Sequence, residues 1–532
     1  MGRQILTRGE TVLADEMVVN SIDIETGLGG RKASHPVRDS TTHRVPWLAK
    51  TALVWSTAVS QMQHRPIAAA MISSSSTIFV NVNILDGSAA APFPGAVLVK
   101  GNRIEAVIPE GERIRSGGIR GGSDAERSRG GTILTNGKGK HIGSGATLAD
   151  GNGERIAPDA VVIDGKGATL MPGLIEPHAH LSFSNMSSSV QLGEIAPEEH
   201  TLITAKHARV MLDHGFTACV SAASAKPRLD IAVRDWINAG EIPGPRLLAA
   251  SPEMTVTGGL GDPSFLHLRR ENFGWVCNGA DEFRASARLM CREGVDTLKI
   301  NISGDDAVPG AKAADTVMND SEVEAVCEVA RGRGKRVAAH VRSAESVKMA
   351  LRHGVDILYH ATLVDDDACA LLEAQRERVF VAPTLGNLYC TLYEASPWGL
   401  TTELATARGA KRELTLGIDN MKELKRRGVR ILPGGDYGFA WAPIGANARD
   451  IEHFVNLLGF SATEAIQAAT RLGGEIMMMG AELGRIEAGY LADLLLVDGD
   501  PLQDVSILQR ADKLLAIMKD GCFYKAPLRS GQ

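Results

Sequence analysis

Between Gly173 and about Ala481, short apolar runs of strand character alternate with helical patterns, and this alternation constrains the fold more than any other feature. Strand patterns fall at Leu174–His178, Thr217–Ser221, Arg246–Ala250, Thr297–Ile302, Val337–Val341, Ile357–Ala361, Val379–Thr384 and Arg430–Leu432. Helical periodicity separates them, as at Asp281–Glu293, Asp320–Gly332, Ser343–His353, Thr402–Arg427 and Ser461–Gly473. Parallel strands need a crossover of helical length between them. Eight such units over roughly 300 residues predict an α/β fold of the (β/α)8 TIM-barrel type.

The flanks read differently. Thr77–Leu85 is a strand ending in the turn residues Asp86-Gly87; Ala96–Lys100 and Arg103–Ile108 form a pair joined by the tight turn Gly101-Asn102. Val161–Gly167 resumes this pattern, and residues from about 484 to 525 add strands from the far end of the chain. Residues 76–172 plus 484–532 are therefore expected to build a discontinuous small β-sandwich, and residues 173–483 the barrel. A glycine-rich, aromatic-free stretch at about 111–158 lacks apolar surface to bury and reads as a flexible insertion. Residues 1–75 show no period and read as a poorly ordered extension; a start at Met71 would suit the fold.

Composition excludes several classes of partner. A net charge of −6 leaves no basic footprint for nucleic acid. No run reaches the ~18 consecutive apolar residues of a membrane span, and the opening residues lack the apolar centre of a secretory signal. The 7 cysteines, scattered from Cys219 to Cys522, are an odd number without a CxxC pair. They read as free thiols, and a cytoplasmic location is expected.

The chemistry-bearing residues stand at strand ends. In His178-Ala179-His180, side chains at i and i+2 on a strand project from one face, so two imidazoles can share one ion. Lys299 lies inside a later strand pattern, His340 and His360 finish two more and Asp436 ends the last, all towards the C-terminal face where barrel enzymes place their chemistry. Singly, each has a plainer reading. A strand lysine usually snorkels, an aspartate after Gly434-Gly435 can simply make a turn, and a lone histidine is commonly half-buried. Their joint order outweighs those readings. His214 and His353, each before a glycine, suit helix C-termini, and His207 and His453 fall within helices. The glycines of Thr257–Asp262 lack the strand-to-helix setting of a phosphate loop and read as a loop beside the active site.

HxH, a strand lysine, two later strand-end histidines and a strand-end aspartate together resemble the amidohydrolase superfamily, in its imidazolonepropionase-like branch. Leu483–Asp498 is similar to the strand pair that closes those enzymes, and the resemblance covers about residues 76 to 525. It implies two divalent ions, zinc first and manganese or iron as alternatives. His178, His180 and Asp436 would hold the more buried ion, and His340 and His360 the more exposed one. An ammonium has no lone pair for a metal; in the family the lysine is carbamylated and bridges the ions, which implies a carbamylated Lys299. Asp436 would be the catalytic general base and then acid while metal-activated hydroxide attacks an amide-type carbonyl.

The implied reaction is hydrolysis of a non-peptide C–N bond in an amide, urea, carbamate or cyclic amide. Alternatives are an iron-dependent oxygenase on the same scaffold, a Xaa-Pro-type dipeptidase or mycotoxin amide hydrolase, and a non-catalytic scaffold, against which the full ligand set argues. Leu260 stands where peptidase-like and mycotoxin-hydrolysing members carry a histidine, and Val341-Arg342 where they often show a second one. Leu260, Arg342, Tyr359 and Tyr389 are therefore candidate substrate contacts. Asp436–Pro443 with Asn447–Asp450 resembles members acting on small non-peptide amides, ureas or carbamates, although His178 keeps the ligand that phenylurea-type members replace by asparagine. A small-molecule substrate and a homo-oligomer are expected, with no nucleic-acid or membrane partner.

Overall fold

The computed structural model describes residues 76–110, 160–306 and 310–527, together with the short strands Ile114–Arg115 and Gly131–Thr132. The extension at 1–75, the start at Met71 and most of the insertion at 111–158 lie outside the described residues.

Leu174–Ala179, Phe216–Ser221 and Arg246–Leu248 form a three-stranded parallel sheet. The chain then passes Ala249 and resumes as Ala250–Thr255, pairing in parallel with Thr297–Asn301, which pairs in turn with Arg336–Ser343, Ile357–Leu363 and Phe380–Ala382. The strand expected at Arg246–Ala250 is thus longer and divided at Ala249. Its amide donates to the Asp296 carboxylate, while its carbonyl accepts from Asp296 and Thr297. The strand expected at Arg430–Leu432 is a single bridge between Val381 and Ile431. Leu432 donates to Val381, but Pro433 follows and has no N–H to continue the ladder.

Burial explains why these strands read as unbroken apolar runs. Leu174–Ala179, Phe216–Ser221 and Thr297–Asn301 are buried at every position, as strands covered on both faces must be. Polar residues inside such strands are costly without a partner, which makes Glu176, Glu253 and Lys299 conspicuous.

Two expected helices are divided. Thr402–Arg427 becomes Thr402–Ala407 and Ala410–Arg426, separated at Gly409 with φ +102°. That backbone conformation strains any residue but glycine, and a Cβ there would also come 2.5 Å from the Asp306 carboxylate. Ser461–Gly473 becomes Ala462–Ala469 and Arg471–Ile476, hinged at Thr470 with φ −125° and ψ −82°. Asp320–Arg333 keeps its length and opens with a reciprocal Asn319–Glu322 capping box. His214 and His353 do end helices: His214 Nδ1 lies 2.9 Å from the Val210 carbonyl, and His353 pairs with Asp320 and Glu324.

Gly274–Val276 pairs in parallel with Ala250–Thr255, Ile114–Arg115 pairs with Gly131–Thr132, and the other strands form one eight-stranded sheet. Its order runs Cys522–Lys525, Leu514–Lys519, Leu494–Val497, Thr169–Pro172, Ser76–Ile84, Phe93–Lys100 and Arg103–Pro109, with Val161–Asp164 also beside Ser76–Ile84. Leu494–Val497 pairs antiparallel with Thr169–Pro172, so the C-terminal segment is stitched to the strand that leads directly into the HxH strand.

Candidate metal centre

Register brings the strand-end residues level. Lys299 is the neighbour of Glu253, His340 of Asn301, and Val341 of His360. His178, His360 and Asp436 offer ligand atoms that all lie within 4.8 Å of one another. Asp436 Oδ1 lies 3.0 Å from His180 Nε2 and 3.7 Å from His178 Nε2. The His340 and His360 rings stand edge to face at 4.2 Å between centroids, and His178 is 5.5 Å from His360. Lys299 Nζ sits above the Tyr359 ring at 4.7 Å and 3.8 Å from Glu253. All six expected ligand residues thus converge on the floor of one cavity of about 320 Å3.

The backbone there is strained. His360 (φ +76°), Ala361 (φ +49°), Thr384 (φ +59°) and Asp436 (φ +60°) occupy left-handed conformations that cost non-glycine residues energy. Such outliers persist where surrounding structure over-determines them, and they gather at functional sites.

Hydrogen bonds define which nitrogens are free. The Thr384 hydroxyl donates to the Pro383 carbonyl, so at 2.5 Å it accepts from His360 Nδ1–H and leaves the Nε2 lone pair open. His340 Nε2 faces the Gly304 carbonyl at 3.1 Å; a carbonyl only accepts, so the lone pair of His340 is on Nδ1. The buried Nδ1 atoms of His178 and His180 have no hydrogen-bond partner among the described residues.

Burial, the dominant cause, drives His178 and His360 well below the ordinary imidazole range and His340 down to about 3, so these rings are neutral near pH 7. Burial likewise lowers Lys299, against the opposing pull of Glu253. Burial opposes ionisation of Asp436, yet His178, His180 and Arg342 hold its carboxyl below the usual carboxylate range. Neutral imidazoles and an ionised carboxylate, with orphaned nitrogens among them, are a donor set that fits a zinc-like divalent ion.

The candidate substrate contacts separate. Leu260 lines the cavity, its carbonyl accepting from Asn301 at 3.1 Å. Arg342 also lines it, paired with Asp305 and Glu413. Tyr359 does not: it is fully buried beneath the ligands, stacked 3.8 Å from His178, with its hydroxyl donating to the Pro177 carbonyl. Tyr389 is also off the cavity wall, packed against Tyr393 and His453. His207, buried with Nδ1 2.9 Å from the Leu181 carbonyl, is structural. Glu253, Asp305, Glu413 and Asn387 line the cavity without having stood out in the sequence. Asp305 alone had a usable signal, since it opens the loop after the Lys299 strand.

Fold and site together define a metal-dependent hydrolase. The pattern of the Amidohydrolase family matches residues 169–523, well over half of the chain, and the chain belongs to that family. Ochratoxinase of Aspergillus niger is 24% identical over 384 residues, spanning 67% of this chain and 76% of the relative. Imidazolonepropionase of Rubrobacter xylanophilus is 38% identical over 64 residues, 12% of this chain and 15% of the relative. A solved Xaa-Pro dipeptidase with methionine in its active site is similar at a TM-score of 0.68 and 25% identity, covering 85% of this chain and 100% of its own.

Proposed function

We propose that the chain hydrolyses a C–N bond in a small non-peptide substrate: an amide, urea, carbamate or cyclic amide. The observation that carries this reading is the convergence of four imidazoles, Lys299 and Asp436 on the floor of a cavity whose upper wall is aromatic. His178, His180 and Asp436 would hold one divalent ion, His340 and His360 a second, with zinc first and manganese or iron as alternatives. Bound there, such ions supply water acidified towards a pKa of ~7 and polarise a carbonyl oxygen.

The chain's own residues do the rest. Asp436, kept ionised, accepts a proton from the attacking water and returns it to the leaving nitrogen. Lys299, held towards its neutral form by burial, has a lone pair able to add to carbon dioxide; losing one proton, it becomes an anionic carbamate that can bridge two cations. His360 keeps its ligand nitrogen aimed through Thr384, and His340 through Gly304.

The wider architecture belongs to the same proposal: parallel strands 173–483 closed as a barrel, and residues 76–172 with 484–532 as a sandwich-like companion. Gly434, whose Cβ would lie 2.9 Å from that of His178, supports closure between the last and first strands. Among the described residues no helix is long and apolar enough to cross a membrane. All seven cysteines are free, which suits a cytoplasmic setting. Assembly of like copies would cover the exposed Phe265, Leu266 and Leu268.

The test is hydrolysis of a panel of anilides, carbamates, ureas and dipeptides by protein stripped of metal and then reloaded. Release of amine that depends on added zinc and favours non-peptide substrates is expected. Peptides cleaved fastest would move the enzyme to the dipeptidases, and tightly held iron in protein purified without added metal would favour the oxygenase alternative.

A further inference from the structure

Arg342 is the buried cation of the cavity that the metal chemistry leaves unassigned, and it is bracketed. Its Nη2 lies 2.7 Å from Asp305 Oδ2, and its Nη1 donates to Glu413 Oε1. Glu413 also accepts from the Thr362 hydroxyl at 2.6 Å, and the Arg342 amide donates to Ser303 Oγ at 2.8 Å. Arg342 and Glu413 are each about 5% exposed or less, so the group is fixed by burial as well as by bonds. Two carboxylates thus stand around one guanidinium on this wall. Asp306 and Glu253 line the same cavity.

Another part of the lining is aromatic. Phe183 lies against the His180 ring at 3.9 Å and meets Phe439 edge-on at 5.9 Å. Trp441 stacks on Phe439 at 5.5 Å and 13°. Its indole N–H points to Thr391 Oγ1 at 3.0 Å and Asn387 Oδ1 at 3.3 Å, which holds the ring in place. A planar, uncharged ring can lie on such a surface without disturbing it.

We infer that Arg342, Asp305 and Glu413 form a charge filter that rejects substrates carrying a carboxylate beside the scissile bond, while Phe439 and Trp441 take an uncharged aryl group. A carboxylate approaching Arg342 meets two like charges already bonded to it, and Nε, the guanidinium nitrogen without a partner among the described residues, is buried. Dipeptides and other N-acyl amino acids carry that carboxylate next to the leaving nitrogen, so the filter turns them away. Arg408 also lines the cavity, but it is exposed at the mouth, where solvent weakens its pull on an anion. This inference rests on the reading of the cavity as a C–N hydrolase site.

The test compares benzanilide with 2-benzamidobenzoate, which differ by one carboxylate set beside the leaving nitrogen, on the zinc-loaded full chain. Affinity is measured by calorimetry and turnover by amine release. Benzanilide should bind about tenfold or more tightly than its acid. Glu413→Gln and Asp305→Asn, each freeing one side of Arg342, should narrow that gap by strengthening binding of the acid; melting curves establish which variants are folded. Trp441→Ala should weaken benzanilide. Equal or tighter binding of the acid by wild type overturns the filter, as does an unchanged gap in a folded Glu413→Gln or Asp305→Asn variant. No binding of either ligand overturns the aryl site. Benzanilide bound in preference but never cleaved upholds the filter and overturns the hydrolase reading instead.

Discussion

Asp436→Asn removes a charge and a proton acceptor while keeping the shape of the side chain. Asparagine tolerates the left-handed conformation at φ +60° at least as well as aspartate, so the turn after Gly434-Gly435 should survive. Contacts of Asp436 Oδ1 with His180 at 3.0 Å and His178 at 3.7 Å can be kept by the amide oxygen, and the fold should hold. The amide cannot take a proton from water or hand one to a leaving nitrogen. Loss of a general acid–base group costs about 10² to 10⁴ in rate, or about 3–5 kcal/mol of barrier. The measurement is kcat of metal-reconstituted protein beside metal content by elemental analysis and a melting curve. A variant with unchanged metal and more than about a tenth of wild-type kcat, far above that expected loss, would refute proton transfer by Asp436.

Lys299→Ala should bind less metal than wild type and lose nearly all turnover, with partial recovery on adding acetate or propionate together with metal; full metal content and normal turnover would leave Lys299 a structural strand lysine. Tyr359→Phe should lower stability by about 1–3 kcal/mol, because the Pro177 carbonyl loses its buried donor, while KM stays constant; a raised KM at unchanged stability would return Tyr359 to the substrate contacts. Asp450 is pushed up to about 7 by burial, so the folded protein keeps a proton that the unfolded chain releases near pH 4. Its stabilising share is present below that unfolded value and lost as pH rises through about 7. Metal-free Asp450→Asn should therefore gain about 2 kcal/mol on wild type between pH 5 and 8 in urea titrations, and a constant difference would show Asp450 ionised throughout.

The sequence by itself determined the strand-and-helix order and the candidate ligands, because both follow from local geometry. Period-two alternation puts His178 and His180 on one face, Lys299, His340 and His360 stand within strands that are almost wholly buried, and Asp436 follows the short bridge at Ile431. What only the tertiary structure decided were the relations between segments far apart in the chain. Arg342 looks in sequence like a cation open to substrate; it is closed by Asp305 and by Glu413, whose position in an amphipathic helix carries no local mark. Tyr359 looks like a cavity residue one position before a ligand, yet alternation along its strand turns it under His178. The break at Gly409 rests on a left-handed backbone at φ +102°, which the run of helix-forming residues around it does not reveal. Local periodicity is written into neighbouring residues, whereas the bracketing of a charge and the close approach of two backbones are set by loops that meet only when the chain is packed.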